Sequence, residues 1–137
     1  MRVFLDANVL FSAAKSDGAV RALLRLLLER GHTGVVDSYV VAEARRNLQA
    51  KGGDAIDVLD ALLTHLEQAP AAPVVLALAV ELGWLPEKDR PVLAAAIRLH
   101  CDVLVTGDRT HFGAAYGRSF SGVAVHSPRS LAQRLLA

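Results

Sequence analysis

Four carboxylates, Asp6, Glu43, Asp89 and Asp108, stand where a parallel α/β sheet would gather them. Asp6 follows the apolar run Val3-Phe4-Leu5, and Asp108 follows Val103-Leu104-Val105 across Thr106-Gly107. Asp89 precedes Arg90-Pro91 at a helix start, and Glu43 borders an apolar helical stripe of Val40, Val41, Ala44 and Leu48. Each has a plainer reading on its own: turn aspartates for Asp6 and Asp108, a helix cap for Asp89, a solvated helix face for Glu43. Gathered in one apolar-walled cleft they would repel each other, with raised pKa values and a cost to folding unless a cation compensates. Carboxylate and water oxygens suit Mg²⁺ or Mn²⁺. Such an ion lowers the pKa of bound water and neutralises charge on phosphate oxygens, so the chemistry expected is phosphodiester hydrolysis.

The elements that must position these acids alternate along the chain. A strand at 3–5 is followed by a helix with the stripe Val20, Leu23, Leu24, Leu27 and Leu28, capped by Ser16 or Asp17 and ended by Gly31. Gly34-Val35-Val36 reads as a second strand, and a helix begins at Ser38 with Asp37 as its start residue. After Gly52-Gly53, Asp54 can cap a third helix through Ile56, Leu59, Leu63 and Leu66. Beyond the break at Pro70 to Pro73, Val74-Val75-Leu76 reads as a short strand before a short helix. The Pro91 helix carries Val92, Leu93, Ala96 and Ile97, and 103–105 is the clearest buried strand. A last strand at 123–125 and a helix from Ser127-Pro128 through Leu131, Leu135 and Leu136 close the pattern. Non-alternating apolar strands between amphipathic helices predict a three-layer α/β/α fold with a mainly parallel sheet of about five strands. Ligands bind such sheets at the carboxyl ends of the strands, near the point where strand order reverses.

Composition narrows the function classes. The 137 residues, 53% of them hydrophobic, suit a single domain spanning 1–137. A net charge of +1 marks neither a histone-like nucleic-acid binder nor an acidic mimic. One cysteine, Cys101, excludes an internal disulfide and reads as a small buried apolar residue. With no apolar run long enough to span a bilayer and no leader pattern, a soluble cytoplasmic protein is expected, with no membrane partner.

The blocks "FLDANVL", "VVAEARRNL", "EKDRPVLAAA" and "LVTGDRTHF", in this order, resemble those of the PIN-domain family. That family comprises metal-dependent ribonucleases, including the VapC-like toxins of bacterial toxin–antitoxin pairs. "VAVHSPRSLAQRLL" is similar to the family's closing strand and helix. The resemblance implies that Asp6, Glu43, Asp89 and Asp108 are the catalytic, metal-binding acids, with Asn8 and Thr106 as polar supports. It also implies a Mg²⁺- or Mn²⁺-dependent endoribonuclease with an RNA substrate, a small antitoxin protein as partner in the toxin branch, and a homodimer.

Twelve of the 15 basic residues are arginines, whose planar fork suits phosphate. Arg21 and Arg25 read as solvated helix faces, whereas Arg45, Arg46, Arg90 and Arg109 neighbour the acids in sequence; Arg109 is the first choice for substrate binding. His111, three residues past Asp108, either touches a scissile phosphate or starts a short helix with Phe112. Trp84 reads as partial core. Two other functions compete. A non-catalytic PIN-like module would bind RNA or protein with the same acids. A haloacid-dehalogenase-like phosphatase also has an aspartate after its first strand but needs a second two residues on, where this chain has Asn8.

Overall fold

The computed structural model describes all 137 residues. Apolar runs at Arg2–Leu5 (β1), Thr33–Asp37 (β2), Val103–Val105 (β4) and Val123–His126 (β6) form parallel strands, joined by Glu67–Ala69 (β3) and Ser119–Phe120 (β5). The sheet has six strands in the order β3-β2-β1-β4-β6-β5, parallel except for the β5–β6 pair. Helices complete a three-layer α/β/α arrangement: Ala7–Lys15 (α1), Ala19–Glu29 (α2), Ser38–Ala50 (α3), Ile56–Leu63 (α4), Leu76–Glu81 (α5), Arg90–Arg98 (α6), Arg109–Phe112 (α7) and Pro128–Leu136 (α8). Val3 pairs with Gly34 on one side and Val103 on the other, and Val3, Phe4, Leu5 and all of β4 are wholly buried. Such strands, covered on both faces, read as unbroken apolar runs.

From β1 the chain builds outward through β2 to β3, then returns to lay β4 on the free side of β1. Strand order therefore reverses between β1 and β4, and the residues just after those strands, Asp6 and Thr106 to Asp108, flank the switch point.

Several elements differ from the sequence expectation. Helix α1 begins immediately after Asp6, whose side chain accepts from the Ala7 N–H as its N-cap. Its buried residues, Ala7, Val9, Leu10, Ala13 and Ala14, include three alanines, so the apolar stripe is faint. Consequently α2 starts at a Gly18 cap, and Asp17 pairs instead with Arg25 at 3.3 Å. Helix α4 starts from Ala55 rather than Asp54 and ends at Leu63. The expected strand at 74–76 is absent: Val75 is extended but serves as the N-cap of α5. The strand before α5 is β3, whose polar sequence gave no signal. It pairs with β2, and the Arg2 guanidinium donates to both oxygens of Glu67 at 3.0 and 2.7 Å. Gly34 allows the chain to close there, because a Cβ would stand 2.6 Å from Leu66 Cδ2. The sixth strand, β5, is a short hairpin arm turned through Ser121-Gly122, both at positive φ. Trp84 is not core: it is 43% exposed and stacks on Phe120 with ring centroids 5.0 Å apart. Cys101 is buried, as read, and burial pushes its thiol up to about 11. No helix is long and apolar enough to cross a membrane.

Candidate metal centre

The backbone brings Asp6 and Asp108 together first. The Asp6 N–H donates to the Val105 carbonyl, extending the β1–β4 ladder one residue past the strands. The Asp6 carboxylate is 5% exposed and fully engaged. One oxygen accepts from the Ala7 N–H at 2.7 Å; the other accepts from the Thr106 hydroxyl at 2.7 Å and the Asn8 amide at 3.2 Å. Thr106 in turn accepts from the Asp108 N–H at 3.2 Å, and Asn8 Oδ1 accepts from the Gly107 N–H at 2.8 Å. Asn8 and Thr106 thus lace the ends of β1 and β4 into one rigid edge.

Asp89 occupies the N-cap position of α6, yet its side chain caps nothing. It turns to His111 instead. Asp108 caps α7 by accepting from the His111 N–H at 3.1 Å, and that helical turn swings the imidazole back over the acids. His111 Nδ1 lies 2.7 Å from Asp89 Oδ2 and 3.0 Å from Asp108 Oδ2. Asp89, Asp108 and His111 form a trio whose ligand atoms all lie within 4.8 Å of one another. At neither oxygen does the ring nitrogen have hydrogen-bond alignment, so Asp89 Oδ2 and His111 Nδ1 are buried atoms without a hydrogen-bond partner. Two carboxylates and an imidazole turned inward on one point, two of their atoms buried without an aligned hydrogen bond, fit a divalent cation.

Charge is concentrated here. Burial pushes the Asp6 carboxyl up to about 6 against its bonds to Thr106 and Ala7, and the charges of Glu43 and Asp89 add to the rise. Asp89 is raised too, mainly by burial and partly by Asp108, with His111 opposing. Glu43 is half-buried on α3 and acts on this centre through its charge; it is not one of the trio. Two phenols steady the loops: Tyr39 donates to the Lys88 carbonyl beside Asp89 at 2.6 Å, and Tyr116 to the Thr106 carbonyl at 2.7 Å.

Among the arginines near the acids, Arg45 is tied to Asp60 and Arg90 to the Leu85 carbonyl. Arg109 is exposed at the start of α7, next to Asp108 in the chain, and its guanidinium makes no ion pair. Asp37 caps α3 by accepting from the Val40 N–H, as its position suggested, and stays outside the cluster. The residue missing from the sequence-derived acid set is His111; its signal was the three-residue spacing from Asp108, which places it on the first turn of whatever helix Asp108 caps. Tyr39 and Tyr116 gave no signal, because their partners are backbone carbonyls far along the chain.

A family model described as the PIN domain matches residues 2–110. No curated protein matches the sequence. The chain is similar in structure to VapBC2 from Rickettsia felis bound to a DNA fragment from their promoter, at 20% identity and a TM-score of 0.70, covering 93% of this chain and 98% of that one. It is similar to PAE2754 from Pyrobaculum aerophilum at 22% identity and a TM-score of 0.68, covering 99% and 90%. Similarity to FitAcB from Neisseria gonorrhoeae is 23% identity with a TM-score of 0.62, covering 93% and 98%. At these identities the likeness is one of fold.

Proposed function

The chain belongs to the PIN-domain family, and on that premise we propose that it is a divalent-metal-dependent endoribonuclease, the toxin of a type II toxin–antitoxin pair. The observation that carries this reading is the inward-facing trio, whose Asp89 Oδ2 and His111 Nδ1 are buried in contact with each other but without an aligned hydrogen bond, set against the buried Asp6. Asp89, Asp108 and His111 would hold Mg²⁺ or Mn²⁺, with Asp6 and Glu43 supplying further negative charge. When bound, the ion supplies a lowered pKa for water and a counter-charge for phosphate oxygens.

The chain's own residues do the remaining work. Asn8 and Thr106 hold the Asp6 carboxylate in one orientation, so its charge faces the centre without reorganising when substrate arrives. Tyr39 and Tyr116 tether the segments that carry Asp89 and Asp108, each through a bond to a backbone carbonyl. Arg109, exposed and without an ion pair, would meet a backbone phosphate. The phosphatase alternative loses further ground, because both ends of the Asn8 amide are committed to Gly107, Asp6 and Thr106 and no proton-transferring group takes its place. The non-catalytic module remains the rival that experiment must eliminate. A small antitoxin that covers the cleft and a cytoplasmic location belong to the same proposal.

The test incubates purified protein with structured and single-stranded RNAs in Mn²⁺, Mg²⁺ or EDTA. Cleavage is expected with either metal and none in EDTA. Asp6→Asn should lower the rate at least about 100-fold, given the usual cost of losing preorganised charge. His111→Ala should weaken Mn²⁺ more than Mg²⁺ in isothermal titration, since imidazole favours the later metal. Cleavage surviving both EDTA and Asp6→Asn would sink the metal mechanism, and no cleavage of any RNA would favour the binding module.

A further inference from the structure

A cavity of about 250 Å³ opens between α1 and α3, lined by Asn8, Phe11, Asn47, Ala50 and Lys51. We propose that it is a nucleobase subsite, seating one base of a single-stranded RNA beside the phosphate at the acidic centre; this rests on the ribonuclease reading. Asn8 belongs to both places. Its amide is spent on Asp6, Thr106 and Gly107, so it forms the shared wall rather than a ligand. Helix periodicity leads outward from there. Phe11 lies one turn beyond Asn8 on α1, while Asn47 lies one turn beyond Glu43 on α3 and Lys51, the C-cap of α3, a further turn on, about 12 Å along the axis from Glu43.

The lining has the parts that base binding needs. Phe11 is half-buried and lines the cavity with an aromatic side chain of the kind bases stack on, and the small Ala50 adds little bulk to the wall. Asn47 is exposed, and its amide, which makes no hydrogen bond within the protein, presents a donor and an acceptor side by side, the pattern that reads a base edge. Lys51 has no ion pair and ends the groove with a cation suited to the next phosphate. A helix end that was merely solvated would need neither the aromatic wall nor the cavity. The low aromatic content of the chain, 5%, argues for one base held here and against a long stacking platform.

The experiment measures cleavage of hexaribonucleotides of each base by the full chain, and their binding to an Asp6→Asn background by fluorescence anisotropy. Phe11→Ala is expected to raise KM about tenfold with kcat little changed, the pattern of lost uniform binding, and Phe11→Tyr to restore it. Asn47→Ala, at an exposed position, is expected to flatten the preference among bases by about tenfold without lowering the melting temperature. Cleavage whose KM and base preference are unmoved by both substitutions overturns the subsite and leaves the nuclease standing. Binding that weakens with the substitutions, without cleavage by the native chain, supports the subsite and removes the nuclease. Neither binding nor cleavage overturns both.

Discussion

Asp6 shows why a cation would stabilise this centre. An aspartate at 5% exposure, pushed from its ordinary 3.8 to about 6, is bound more tightly to its proton in the folded chain than in the unfolded one. Its contribution is therefore most favourable below about pH 4 and is lost as pH rises through about 6, leaving the ionised form a cost of about 3 kcal/mol at pH 7. The measurement is urea unfolding in EDTA at pH 4 and pH 7 for the native chain and Asp6→Asn. The variant should gain stability relative to the native chain as pH rises, and a difference independent of pH would refute the assignment. His111 carries the complementary lesson. Its spacing from Asp108 was visible, but its contact with Asp89 depends on a helical turn whose start only the fold defines.

The elements divide according to how their signal is written. Strands β1, β2 and β4 are legible because burial on both faces demands continuous apolar side chains, β6 because Val123-Ala124-Val125 is apolar although only Val123 and Val125 are buried, and α3, α6 and α8 because each carries a stripe and a start residue. Helix α1 was not, since an alanine-rich inner face packs closely without a strong periodic contrast. Strand β3 is held by pairing and by the Arg2–Glu67 bridge, which no local pattern announces. The loops that carry Asp89 and Asp108 are likewise anchored from a distance, by Tyr39 and Tyr116. Tyr116→Phe is expected to cost about 1 kcal/mol in thermal or urea unfolding, the usual net value of one hydrogen bond. It should lower kcat about tenfold by loosening the Thr106–Asp108 segment. Full activity with the same loss of stability would leave Tyr116 only a structural role.

For the whole molecule, the strand order is the decisive fact. Reversal between β1 and β4 puts Asp6 beside Thr106 and Asp108, and no reading of local periodicity could have chosen that order from the others available to six strands. The surface opposes the buried centre with one unusual feature: on and around α5, Val75, Leu76 and Val80 are 66%, 80% and 74% exposed, and the helix buries no residue. Such a patch suits the homodimer that the family resemblance implies. Sedimentation velocity should show a dimer that Leu76→Glu converts to monomer; a native chain that is monomeric at micromolar concentration would remove this expectation. By itself the sequence determined the α/β class and the ends of the strands that Asp6 and Asp108 follow, because burial and capping leave local marks in composition and spacing; it offered the four acids as candidates, and Asn8 and Thr106 as their supports only through the family resemblance. Tertiary structure alone decided the six-strand order, the polar edge strand, and the imidazole between Asp89 and Asp108. Those depend on contacts between residues far apart in the chain, which local pattern does not encode.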